Sequence, residues 1–77
     1  MPHVIIKLYE GRSEADKQML ANAIAKTVVQ TLKSSEASVS VAIEDVAPAD
    51  WPDKVYKPDI LDKPAQVFKK PGYNPFS

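Results

Sequence analysis

The sequence predicts one small domain of the α+β class: a βαβ unit of two parallel strands and one long helix, followed by a short C-terminal strand and turns. Three stretches carry this reading. His3 to Tyr9 alternates, with Val4, Ile6 and Leu8 on one face and His3, Ile5, Lys7 and Tyr9 on the other. From Glu14 to about Lys33, the residues Leu20, Ile24, Val28 and Leu32 recur every four positions. Ser38 to Asp45 alternates again, with Val39, Val41 and Ile43 opposed to Ser38, Ser40, Ala42 and Glu44. A strand, a long helix and a second strand form a unit whose crossover is nearly always right-handed and leaves the strands parallel.

Each element has local support. The first strand carries apolar bulk on both faces, as a strand covered on both sides does. Glu10-Gly11-Arg12 breaks the alternation, and Ser13 offers an N-cap with Asp16 at the third helical position, as in a capping box. Glu14 and Asp16 complement the positive end of the helix dipole. Along the helix Ala21, Ala25 and Val29 widen the apolar stripe, while Lys17, Gln18, Asn22, Lys26 and Gln30 take the outer positions. Ser34 to Ala37 reads as a short loop. After the second strand, Ala47 to Pro52 cannot continue a central strand, because each proline removes a ladder donor. Lys54-Val55-Tyr56 reads as a short edge strand or hairpin arm. Pro58, Pro64, Pro71 and Pro75 then punctuate a stretch too broken for a core element, in which Val67, Phe68, Tyr73 and Phe76 are the candidate anchors. The expected division is a core over about 2–61 and a proline-rich tail over about 62–77.

Composition narrows the function classes. At 77 residues there is room for one domain, and a chain this short buries little surface unless disulfides, a metal or self-association help it. There is no cysteine and only one histidine, which argues against a disulfide framework or a metal site built on thiolates or imidazoles. Self-association remains. One helix covers one face of two strands, and two strands are not independently stable, so a homodimer that completes the sheet is expected. Ten basic and ten acidic residues cancel, which predicts neither nucleic acid nor membrane as a partner. Lys69-Lys70-Pro71-Gly72-Tyr73 mixes cations with an aromatic, but on a neutral chain it reads as a loose tail. No signal-peptide pattern and no apolar run of spanning length is seen, so the expected location is cytoplasmic.

Pro2 is the candidate for chemistry. A small residue after the initiator methionine favours its removal, which leaves Pro2 with a free secondary amine. At the start of the apolar run Val4-Ile5-Ile6, desolvation disfavours the ammonium form and makes the amine a usable general base. From the residues alone, Pro2 is either that base or simply a permissive second residue.

Pro2 after Met1, a strand, Glu10-Gly11-Arg12-Ser13 opening a long helix, and then Ser38-Val39-Ser40-Val41 together resemble the 4-oxalocrotonate tautomerase family. The resemblance runs from Pro2 to about Trp51, and the proline-rich remainder is similar to that of its phenylpyruvate-type branch. It implies a cofactor-independent enol–keto tautomerase acting on 2-hydroxy-alkenoates or aryl pyruvate enols such as phenylpyruvate, with Pro2 as the base. Arg12 matches the family's arginine that grips a substrate carboxylate, a task suited to a guanidinium fork. Trp51 falls where the family has a phenylalanine lining the pocket. Ser40 stands where the founding enzyme carries a second, substrate-binding arginine, so a mono-acid with an aryl tail is the expected substrate. His3 replaces the aliphatic residue usual after the proline; it either hydrogen-bonds near the base or is a partly exposed strand residue. Lys7, Tyr9 and Tyr56 are weaker candidates for polar contacts. Arg12 lies on the order of 25 Å from Pro2 along a straight strand. The two cannot share a ligand within one chain, and first strands paired antiparallel across a two-fold axis would bring Arg12 of one copy toward Pro2 of the other.

Two other readings stay open. Dehalogenation or decarboxylation on the same scaffold needs a carboxylate to activate water, with Glu44, Asp45 and Asp50 as candidates. A non-catalytic dimeric module with a partner-binding proline-rich tail is the third.

Overall fold

The computed structural model describes residues 1–77. Strand β1 (His3–Tyr9), helix α1 (Glu14–Leu32) and strand β2 (Ser40–Val46) appear in the expected order, and β1 and β2 form a two-stranded parallel sheet. The chain divides into two compact units, Met1–Asp45 and Val46–Ser77.

In the first unit, the turn into α1 is built by the residues that predicted it. Gly11 adopts φ 113°, a region that side chains with a Cβ rarely enter. The Asp16 N–H donates to Ser13 Oγ at 3.1 Å, the serine half of a capping box. Lys33 ends the helix in the left-handed conformation, φ 58°. The loop that follows contains a 3₁₀ turn, Glu36–Ser38, and it delays β2. Ser38 donates its N–H at 3.2 Å and its hydroxyl at 2.7 Å to the Ser35 carbonyl, so a local turn captures a residue expected in the strand. β2 accordingly starts at Ser40 and runs one residue further, to Val46.

The faces of β1 follow the predicted alternation except at Lys7: Val4, Ile6 and Leu8 are half-buried and Ile5 and Tyr9 remain 54% and 52% exposed, but Lys7 is half-buried as well. The inward stripe of α1 is rotated from the expected one. Lys17, Ala21, Ile24, Ala25, Val28 and Val29 are the half-buried positions, and Leu20 and Leu32 are exposed. Lys17 is the clearest departure, since it was expected on the outer face. Its side chain is only 14% exposed, and its ammonium donates to Asp45 of β2 at 2.9 Å and pairs with Glu14 at 3.0 Å. A long aliphatic stem lets a lysine lie along the sheet while its charge reaches the strand end.

These bonds, that to Asp45 first and that to Glu14 second, raise the Lys17 pKa above 10.5, against a smaller opposing effect of burial. A raised folded-state pKa means that the folded state holds this proton more tightly than the unfolded chain does. The contribution is therefore complete below 10.5 and disappears as pH rises through the higher folded-state value. A Lys17→Met variant should lose that alkaline dependence, measured as a denaturation midpoint that falls less than the wild type's between neutral pH and strong alkali.

The second unit corrects the sequence reading most. Lys54-Val55-Tyr56 is neither strand nor hairpin arm; it lies inside a ten-residue π-helix, Pro52–Leu61, preceded by a 3₁₀ turn at Pro48–Asp50. Two of the prolines that appeared to break structure, Pro48 and Pro52, each sit at a first turn whose N–H needs no partner, while Pro58 lies inside the π-helix. The wide turn is visible at its end, where the Asp62 N–H donates to the Lys57 carbonyl at 2.9 Å, five residues back. Val55 and Tyr56, 5% and 7% exposed, are the most deeply buried residues of the chain. The following stretch is not all loose. The Tyr73 ring packs 5.6 Å from Tyr56 and the Phe76 ring 5.9 Å from it, centroid to centroid, at angles suited to aromatic pairs. Phe68, expected as a possible anchor, is instead 99% exposed.

Candidate active site

The site is built from the amino-terminal end of the sheet. Pro2 precedes β1, is half-buried, and accepts the Ser40 N–H on its carbonyl at 3.1 Å. Ser40 opens β2, so the first rung of the parallel ladder falls on the residue that carries the candidate amine. The Ser40 hydroxyl also lies 2.6 Å from His3 Nδ1. Pro2, His3 and Ser40 are thus brought together across 37 positions of sequence. Met1 is fully exposed. While Met1 is attached, the Pro2 nitrogen is an amide without basicity; after its removal the same atom is a secondary amine whose only covalent anchor to the chain is the Pro2 ring.

Arg12 is not part of this cluster. It sits past the other end of β1, between Gly11 and the Ser13 cap, with an exposed side chain that makes no hydrogen bond or ion pair. The seven residues of β1, together with Glu10 and Gly11, separate it from Pro2, the strand alone spanning roughly 23 Å at about 3.3 Å per residue. Trp51 belongs to the second unit, between the 3₁₀ turn and the π-helix, half-buried, with its indole N–H donated to the Tyr73 hydroxyl at 2.7 Å. That bond satisfies the polar edge of the ring. Among the weaker candidates, Lys7 is half-buried and Tyr9 exposed, and both have partners. Tyr56 is committed to the aromatic cluster.

Two of the three carboxylates considered for water activation are already engaged. Asp45 accepts from Lys17 at 2.9 Å and Asp50 from Lys54 at 3.4 Å. Glu44 remains exposed on β2. Two concavities of the first unit lie elsewhere: a cleft of about 370 Å³ between Asn22, Lys26, Val29 and Glu36, and one of about 200 Å³ between α1 and β2. Neither is lined by Pro2, Arg12 or Ser40.

The sequence pattern that begins with this proline is a known one: the family model described as tautomerase enzyme matches residues 2–52, with Pro2 as its first matched position. The chain belongs to the tautomerase family. It is accordingly an isomerase, and its relatives carry that description along almost their whole length. A probable tautomerase of Xylella fastidiosa is 47% identical over 73 residues, covering 95% of this chain and 89% of that protein. Tautomerase PptA of Cronobacter sakazakii is 36% identical over 74 residues, covering 95% of this chain and 97% of its own. Among solved structures, TomN, a 4-oxalocrotonate tautomerase homologue of the tomaymycin biosynthetic pathway, superposes with a TM-score of 0.63 at 30% identity, over 65% of this chain and 77% of that one. A heterohexamer 4-oxalocrotonate tautomerase from Chloroflexus aurantiacus gives 0.65 at 30% identity, over 70% and 87%. The tautomerase fold thus accounts for the βαβ unit. No helix of the chain is long and apolar enough to cross a membrane.

Sequence reasoning considered a hydrogen bond at His3 but did not find its partner. The signal was present in Ser40, yet only the register of β1 against β2 sets that serine beside Pro2 and His3.

Proposed function

We propose that the protein catalyses the enol–keto tautomerisation of 2-hydroxy-alkenoates, with aryl pyruvate enols such as phenylpyruvate as the preferred class, and that Pro2 is the base. The observation that carries this is the placement of Pro2: its carbonyl is pinned by Ser40 at the head of the ladder, while its nitrogen bears only the exposed Met1. Once Met1 is removed, the amine takes the enol hydroxyl proton, the O–H electrons form the carbonyl, the double bond shifts, and the proton returns to carbon from the same nitrogen. No cofactor is needed for that sequence.

Arg12 supplies the carboxylate fork and Trp51 an apolar wall. The unpartnered guanidinium supports the first role, since nothing in its own chain competes for it. Ser40 is too short to clamp a second carboxylate, which favours a mono-acid. Because β1 separates Arg12 from Pro2, the site forms between two copies whose first strands run antiparallel across a two-fold axis. The exposed Ile5 and Tyr9 on the face away from α1 favour such a partner. The expected assembly is a homodimer, and sedimentation equilibrium should return twice the 8.5 kDa of one chain; a mass near six chains would replace the dimer by a trimer of dimers.

The function itself is tested by following depletion of aryl and aliphatic enols. Acceleration that favours aryl pyruvate enols is the expected result. A protein with free Pro2 that accelerates none of them would exclude the proposal.

A further inference from the structure

Removing Met1 leaves the Pro2 amine with one soft torsion that decides where it points, the rotation about its own Cα–C bond. The ring closes off the other rotation, and no preceding residue remains to hold the nitrogen. Whatever fixes the Pro2 carbonyl therefore fixes the axis about which the amine turns, and with it the circle of positions the base can occupy. In this chain that carbonyl is held by Ser40, whose N–H donates to it at 3.1 Å. Ser40 in turn makes a 2.6 Å hydrogen bond through its hydroxyl to Nδ1 of His3, the very next residue of β1. One residue of β2 thereby grips two consecutive residues of β1, one through the main chain and one through a side chain. Both side chains are exposed, so neither is there to fill a core.

We propose that His3 and Ser40 form a positioning pair that places the axis about which the Pro2 amine turns. This inference rests on the reading of Pro2 as the base. It gives Ser40 a role other than touching substrate, because its hydroxyl is engaged with the imidazole. The 2.6 Å contact joins the hydroxyl to Nδ1 in either sense, the hydroxyl donating to a bare Nδ1 or accepting from Nδ1–H. Without the side-chain bond, the strand end frays and the amine samples directions away from the enol hydroxyl. Catalysis is sensitive to such loss of aim, a misplacement of about 1 Å costing up to ~100-fold. Substrate affinity is not, because the carboxylate is gripped elsewhere.

Ser40→Ala and His3→Phe should each lower kcat by about tenfold, within that range, with KM nearly unchanged. The double variant should be no slower than either single one, since both remove one shared bond. Ser40→Thr and His3→Asn, which keep a hydroxyl and a polar atom near the Nδ1 position, should recover most of the rate. A rise in KM with unchanged kcat in Ser40→Ala would overturn the proposal in favour of direct substrate contact. Additive losses, or wild-type kcat in both single variants, would also overturn it. His3 is the sole histidine, so its ring nitrogens are read without ambiguity by ¹⁵N NMR in the protein lacking Met1. A tautomer ratio that Ser40→Ala changes is the expected result, and identical spectra overturn the pair whether or not tautomerase activity is found. Absence of activity in the wild type would instead refute the assignment of Pro2 as base.

Discussion

A Pro2→Ala protein lacking Met1 should turn over an aryl pyruvate enol at least about a hundredfold more slowly than the wild type, the scale of a positioned general base. The variant keeps a free amine, but a primary one on a freely rotating chain end. It loses the secondary nitrogen that the pyrrolidine ring holds in place, and with it the benefit of aim. The fold should survive. Ser40 donates to the main-chain carbonyl of residue 2, which alanine also has, and the alternation of β1 begins after it. Circular dichroism and the denaturation midpoint check that point, and enol depletion checks the rate. Wild-type turnover in a correctly processed variant would remove Pro2 from the mechanism. Retention of Met1 should be as damaging as the substitution, because an amide nitrogen has no basicity, and intact-mass measurement separates the two cases.

Arg12→Ala should act on binding. The carboxylate does not react, so a guanidinium that grips it does so alike in the ground and transition states, and its loss raises KM more than it lowers kcat. A charge-assisted hydrogen bond is worth about 1.5–3 kcal/mol, an effect of roughly ten- to a hundredfold. Stability should change little, since Arg12 is exposed and makes no bond within its own chain. Arg12→Lys should recover only part of the affinity, because an ammonium cannot make the paired contacts of the fork. Titration with a carboxylate inhibitor measures the effect directly, and unchanged affinity would exclude the role. Mixing the Pro2→Ala and Arg12→Ala proteins provides the second check. If each site draws Pro2 from one copy and Arg12 from the other, random exchange in a two-fold dimer rebuilds roughly a quarter of the sites. Activity should reappear from two impaired proteins.

The parts of this molecule legible in the sequence are those set by neighbours along the chain. Alternation placed β1 and separated its faces, because side chains in a strand project to opposite sides whatever the strand meets. Ser13 and Asp16 placed the start of α1 to the residue, since a cap is a bond between positions three apart. The amino-terminal proline marked itself as the candidate base, because that chemistry would reside in one residue. The π-helix at Pro52–Leu61 was not legible: its prolines suggested interruption, whereas Val55 and Tyr56 are held by burial and Tyr56 by rings some twenty residues further on. The inward turn of Lys17 was also hidden, because its partner Asp45 lies 28 positions away on another element. The setting of Pro2 had the same origin. Composition named the proline, histidine and serine, but only the lateral register of two strands brings Ser40 to both Pro2 and His3. A parallel ladder is a contact between distant segments, and its register is chosen by how the helix and both strands pack together rather than by any local preference of the residues it joins.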